Sequence, residues 1–227
     1  GAQSAAENIM KCVRRCGLEV DRLMLNPLAS SHAVLTEDEK ELGVALIDIG
    51  AGTTDVAIYS GGAIRHTAVV PIAGDLITSD IAMALRTPTK DAEEIKVEHG
   101  CAKQLLADPD QRVEVPGLGD RAPRMLSRQV LSGVIEPRVE EIFALVQQVI
   151  RESGHEELLS SGIVLTGGSS VMPDGDRGGA RHLTRDARPP PRLPRRVADR
   201  RSDPPVILSG DVARDNRQNE KTREKKT

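Results

Sequence analysis

Aromatic residues are almost missing from this chain of 227 residues, which has no tryptophan, one tyrosine (Tyr59) and one phenylalanine (Phe143). Any core is therefore aliphatic, and a nucleic-acid surface built on stacked aromatic side chains is excluded. Cysteine is scarce as well. Cys12, Cys16 and Cys101 are too few for a disulfide framework. Cys12 and Cys16 stand four apart on an expected helix, but no further Cys or His cluster completes a metal site around them. No apolar run nears the length of a membrane span, and no leader-peptide pattern stands at the start. A reducing cytoplasm is the expected compartment. The length allows one large or two small domains.

Charge divides the chain in two. Residues 174–227 hold 15 basic and 9 acidic residues, so they are net positive, while residues 1–173 are net negative. Only 11 of those last 54 residues are apolar, prolines 189–191 stand in a row, and no strand or helix period shows outside residues 206–208. Such a stretch buries too little to offset its chain entropy, and it is expected to be disordered.

The most informative stretch is Asp48-Ile49-Gly50-Ala51-Gly52-Thr53-Thr54-Asp55. Residues 44–49 form an apolar run broken only by Asp48, and residues 56–59 form a second β-prone run. The spacing predicts strand, tight turn, strand. A turn with Gly50 and Gly52 lets an anion approach main-chain N–H groups. Thr53 and Thr54 add hydroxyl donors, and Asp48 at the strand end can hold a metal-bound water. A hairpin whose glycines serve geometry alone is the plainer alternative. A carboxylate placed among apolar neighbours is costly without a purpose, and it favours the grip on a polyphosphate and its magnesium.

The remaining elements follow in order. Residues 5–16 read as a helix, 18–25 as a short strand, 28–35 as a small helix and 36–41 as a charged connection. Residues 63–71 return as a third strand of a meander. A helix is expected over 76–85, with Asp75 as N-cap, and another over 90–100, on which Glu93 and Lys96 share a face. Residues 111–117 read as an edge strand. Arg121, Arg124 and Arg128 then form a basic cluster. A long helix is expected over 127–150, kinked or restarted at Pro137. A buried strand then runs into Gly167-Gly168-Ser169, a turn that lets a flat ring or sugar lie against the main chain.

Two glycine turns about 115 residues apart, one following Asp-x-Gly and one following Ile163-Val164-Leu165, resemble the cleft of the actin-like ATPase superfamily. Within it the chain resembles the FtsA family of bacterial cell-division proteins. The matching stretches are Pro27-Leu28-Ala29-Ser30-Ser31, residues 48–55, Val113-Glu114-Val115-Pro116-Gly117, residues 127–138 and residues 162–173. The resemblance implies an α/β actin-like (ribonuclease H-like) domain with an inserted helical/β subdomain. It places the end of a first domain in 1–42, a second domain in 43–173 with its insertion at about 87–148, and the disordered basic tail in 174–227.

By the same resemblance Asp48, Gly50, Gly52, Thr53 and Thr54 lie in a phosphate loop, with Mg²⁺ held through water on Asp48. Glu93, Lys96, Gly167, Gly168 and Ser169 face adenosine. The implied function is ATP-dependent self-assembly and linkage of FtsZ filaments to the membrane at the division septum, on the cytoplasmic face of the inner membrane. Other division proteins are the further partners, and any hydrolysis of ATP is slow. The Arg121, Arg124 and Arg128 cluster is the expected contact for the acidic FtsZ tail.

Three departures from the family's pattern are expected to matter. No Asp-x-Gly phosphate loop appears in residues 1–43, so nucleotide affinity should be low. No amphipathic membrane helix appears at the end, which puts membrane attachment in doubt. After Pro173 the composition changes so abruptly that residues 174–227 read as an out-of-frame translation. Two alternatives stay open. A sugar kinase of the same superfamily would need an acceptor pocket and a general base, and neither shows. A nucleotide-free interaction module would not bind ATP.

Overall fold

Strand β1 (Val44–Ile49) is apolar at five of its six positions, as a strand covered on both faces requires. The computed structural model describes residues 3–119, 121–173 and 195–197. Around β1 stand β2 (Thr54–Ser60) and β3 (Ala63–Val70), which continue it as an antiparallel meander. On its other side β6 (Ile163–Thr166) and β7 (Arg195–Val197) run parallel, giving the order β3-β2-β1-β6-β7. The helices are α1 (Gln3–Arg15), α2 (Asn26–Val34), α3 (Glu37–Leu42), α4 (Gly74–Leu85), α5 (Thr89–His99) and α6 (Arg128–Glu152). A separate hairpin, β4 (Arg112–Val115) with β5 (Arg124–Ser127), lies between α5 and α6 in the chain.

Strand alternation sorts the interior into two cores. Ala45, Ile47 and Ile49 of β1, with Val56 and Ile58 of β2, pack beneath α4, α5 and α6. Val44 and Leu46, with Ala57 and Tyr59, pack against the end of α2. The two aromatic residues are shared out, Phe143 to the first core and Tyr59 to the second. Arg138 of α6 reaches both Asp80 oxygens on α4, at 2.7 and 3.1 Å, and fixes the angle between these helices. Lys103 binds Glu136 and Glu140 on α6, which ties down the chain between α5 and β4.

Several sequence expectations need correction. Residues 18–25 are not a strand: they pair with nothing among the described residues, and Leu23, Met24 and Leu25 are exposed. An alternating pattern without a neighbouring strand has no ladder to join. Residues 37–42 are the helix α3 rather than a connection, opened by a capping box in which the Thr36 hydroxyl and the Glu39 carboxylate satisfy each other's N–H groups. Asp75 is not an N-cap. α4 starts two residues earlier than expected, at Gly74, and the Asp75 N–H is used elsewhere. Of the two outcomes expected at Pro137, a restart does not occur: α6 runs unbroken over Arg128–Glu152, with Pro137 on its exposed side. Strand β5 was not expected at all. Among the residues expected to be disordered, 195–197 form β7 against the open edge of β6. The rest of 174–227 lies outside the described residues, as does residue 120.

Candidate functional site

The two glycine turns meet at one oxygen atom. β1 ends at Ile49, and the chain reverses through residues 50–53, closed by the Gly50 N–H donating to the Thr53 carbonyl at 3.0 Å. β6 runs beside β1 with Thr166 opposite Asp48, so the Gly167-Gly168 turn leaves the same end of the sheet. Ser169 Oγ, in the 3₁₀ turn Gly168–Val171, donates to the Gly50 carbonyl at 2.9 Å. The start of α4 joins them: the Gly74 N–H reaches that same carbonyl at 3.2 Å, and the Asp75 N–H reaches the Ala51 carbonyl at 2.8 Å. Gly74 is closely packed here: a Cβ would collide with Ser169 Oγ and push it off the Gly50 carbonyl.

A cleft of about 420 Å³ opens over this junction, within the range of small-molecule sites. Gly50, Ala51, Gly168 and Ser169 form its main-chain side. Asp75, Glu93 and Lys96 supply its polar side, and Val97, Val171 and Met172 an apolar one. Glu93 and Lys96 form an ion pair of 2.6 Å in which Lys96 is buried and Glu93 is half exposed. Burial alone would raise the Glu93 carboxyl. Hydrogen bonds from Lys96 and Thr78, with the Lys96 charge, outweigh it and hold that carboxyl below its ordinary range.

Not every expected phosphate residue reaches the cleft. Asp48 lies on the α2 side of the sheet, where Ser30 Oγ donates to its Oδ2 at 2.6 Å. Thr54 is buried and donates its hydroxyl to the Ile72 carbonyl at 2.7 Å, so it has no proton left for a ligand. Gly52 and Thr53 are exposed on the turn. Gly167 is buried beneath the turn rather than lining the cleft.

Ser30 and Asp55 lie within motif stretches whose sequence assigns neither a role. The register makes Asp55 the cross-strand partner of Asp48. Burial first, and the Asp48 charge second, push the Asp55 carboxyl above its ordinary 3.8. The signal was present, since a four-residue turn between two strands sets these carboxyls opposite one another. An ionised Asp55 therefore costs stability at neutral pH. Asp55→Asn is expected to raise the unfolding temperature at pH 7. That gain should vanish as the pH falls below 3.8, where Asp55 is protonated in both the folded and unfolded chain. Melting curves of both proteins against pH check this.

The arginine cluster does not present one free basic patch. Arg128 donates to the His99 carbonyl at 2.9 Å, the Gly100 carbonyl at 3.2 Å and Gln111 Oε1 at 3.2 Å. It closes the C-terminal end of α5, where a cation suits the helix dipole. Arg124 donates to the Leu85 carbonyl at the end of α4. Arg121 is exposed.

Comparison with known proteins adds sequence and fold relatives. The family model for cell division protein FtsA matches residues 45–200, running past the change of composition after Pro173. Cell division protein FtsA of Pseudomonas aeruginosa is 63% identical over 171 residues, which are 75% of this chain and 41% of that protein. FtsA of Escherichia coli is 55% identical over 174 residues, 74% of this chain and 41% of that protein. FtsA of Bacillus subtilis is 41% identical over 173 residues, 76% and 39%. The chain thus spans about two fifths of the length of the curated relatives it matches. Among solved structures, MreB5 of Spiroplasma citri bound to ADP superposes with a TM-score of 0.71 at 20% identity, covering 88% of this chain and 61% of that one. The PilM-PilN type IV pilus biogenesis complex gives 0.60 at 19%, covering 80% and 46%. At such identities these two speak for the fold alone, which is actin-like.

Proposed function

This chain belongs to the FtsA family of cell-division proteins, and we propose that it forms one wall of an ATP cleft in a protein that self-associates and links FtsZ filaments to the membrane at the division septum. The observation that carries the nucleotide reading is the junction at the Gly50 carbonyl, where two glycine turns and the start of α4 converge beside a cleft with one polar and one apolar side. Phosphates would lie along the 50–53 turn, and the nucleoside between the 167–169 turn and α5. MreB5, which shares the fold, was solved with ADP and with AMPPNP.

Asp48 would hold a Mg²⁺ through water together with Asp55, the carboxyl opposite it, which burial and the Asp48 charge push above its ordinary range. When bound, the ion would neutralise phosphate charge; Ser30 Oγ donates to the Asp48 carboxylate and fixes its orientation. Self-association, FtsZ and other division proteins as partners, and a place on the cytoplasmic face of the inner membrane rest on family membership. Peripheral membrane attachment rests on family membership too; among the described residues no helix is long and apolar enough to cross a membrane.

The test is an amide NMR titration of the chain with ATP and Mg²⁺. Shifts at residues 50–53, 93–97 and 168–172, saturating at a dissociation constant of about 1 mM, are expected, because one wall alone gives only a few kcal/mol. Shifts that miss these residues at millimolar ATP would overturn the reading.

A further inference from the structure

We propose that Cys12 and Cys16 form a two-sulfur site for a soft monovalent ion, Cu(I), at the end of α1 and independent of the cleft. Both thiols are free and exposed. They stand four residues apart, which makes them neighbours on one face of the helix. Two main-chain bonds hold the end of α1. The Gly17 N–H reaches the Arg14 carbonyl at 3.0 Å, and the Leu18 N–H reaches the Val13 carbonyl at 3.4 Å. This is the pattern of a Schellman cap, with Gly17 as its left-handed residue at a φ of 75°. Cys16 stands between the last helical residue, Arg15, and that glycine. Its backbone is therefore fixed, and with it the spacing of the two thiols, before any ligand arrives.

The spacing selects the chemistry. Neighbours four apart on a helix have Cβ atoms about 5–6 Å apart. A disulfide requires about 3.5–4.5 Å. The two sulfurs are thus too far apart to bond to each other without unwinding the cap, yet near enough to share one ion between them. Zinc asks for four ligands, and among the described residues no group of three or more His, Cys, Asp and Glu side chains is placed to hold a metal. Cu(I) prefers sulfur and is satisfied by two thiolates in line. Each thiol gives its proton to solvent as its sulfur joins the ion. No electron is transferred, since the copper enters as Cu(I). Two thiolates and one such ion leave one negative charge in excess, which the C-terminal end of a helix disfavours. Arg14 and Arg15 in the last turn, with Lys11 one turn earlier, offset it. Cys101 takes no part, because it is buried and its Sγ donates to the Lys103 carbonyl at 3.3 Å.

The test is an anaerobic titration of the reduced full chain with Cu(I), in competition with a chromophoric Cu(I) chelator. Cys12→Ser, Cys16→Ser and Cys101→Ser are measured beside it. The wild type and Cys101→Ser are expected to take one ion per chain, and the other two variants to lose the competition. X-ray absorption of the loaded chain should show two sulfur neighbours, and its sedimentation should not change with copper. A further protein, Lys11→Cys with Cys12→Ser, keeps the number of exposed thiols but moves one to another face of α1. It should lose the site as well. Equal affinity in that protein would show that any two surface thiols suffice, and would overturn the proposal. Retained binding in either Cys12→Ser or Cys16→Ser would overturn it too, as would copper that binds only by joining two chains.

Discussion

Gly168→Leu is expected to abolish ATP-dependent shifts in the 50–53 and 93–97 segments while leaving the unfolding temperature almost unchanged, and Gly167→Ala to do severe damage to folding. The two glycines are adjacent, yet their surroundings are opposite. Gly168 is exposed at the cleft, and a Cβ there meets nothing within 4 Å. A leucine is accommodated by the fold and takes up the space the ligand needs, and because it is neutral it neither attracts nor repels phosphate. Gly167 has a φ of 93° and a ψ of 164°, a combination that residues with a Cβ scarcely adopt. Its Cβ would also stand 2.4 Å from the Ile49 carbonyl oxygen and 2.5 Å from Asp48 Oδ1. Strain and overlap together should cost about 3–5 kcal/mol, a large share of a typical domain's stability. Urea unfolding of both variants, with the ATP titration of Gly168→Leu, separates the two roles. Normal ATP shifts in Gly168→Leu would mean that no ligand passes over this turn. Wild-type stability in Gly167→Ala would mean that the turn is not held as described.

The strands and glycine turns were legible because their signals are local. An apolar run, then Gly-x-Gly-Thr-Thr-Asp, then a second β-prone run leaves few other readings, and the β1–β2 hairpin and the β6 turn stand where expected. The sequence alone does not say which way a side chain points once the strands are stacked. Asp48 and Thr54 are neighbours in one motif, yet the register sends Asp48 toward Ser30 and buries Thr54 against the Ile72 carbonyl. Arg128 looked like a free cation because its partners His99 and Gly100 lie almost thirty residues earlier in the chain. Lys96 and Glu93 were correctly paired by spacing. The burial of Lys96 was not visible, since it comes from α4 packing on α5. Strand β5 has no β-branched residue and exists because β4 offers it a ladder. The capping box at Thr36 and Glu39 is different: its signal is local and present in the sequence, though masked by the run of charged residues inside it.

Phe143→Ala is expected to be the most damaging single truncation in the core beneath α4, α5 and α6, at about 3–5 kcal/mol. Phe143 is 2% exposed and is the one aromatic side chain of that core, since Tyr59 packs on the opposite face of the sheet. Its neighbours Ile77, Val139, Ile142 and Leu165 are aliphatic, and branched or short side chains in fixed rotamers refill a ring-sized hole poorly. A small cavity of about 20 Å³ already borders the ring, so truncation enlarges a defect instead of creating one in close-packed surroundings. Phe143→Leu should cost far less, since most of the volume is kept. The cavity also touches Ser169 and Ser170, and this links core packing to the cleft. Ser169 holds the Gly50 carbonyl, so loss of the ring should loosen the 168–171 turn and raise its amide exchange under conditions where the sheet is still protected. Urea unfolding gives the first quantity and amide exchange the second. A cost under about 1 kcal/mol, the level of an ordinary surface change, would show that the aliphatic side chains close over the gap and that the core does not depend on its ring. A full cost with unchanged exchange at 168–171 would place the ring in the core and detach it from the cleft.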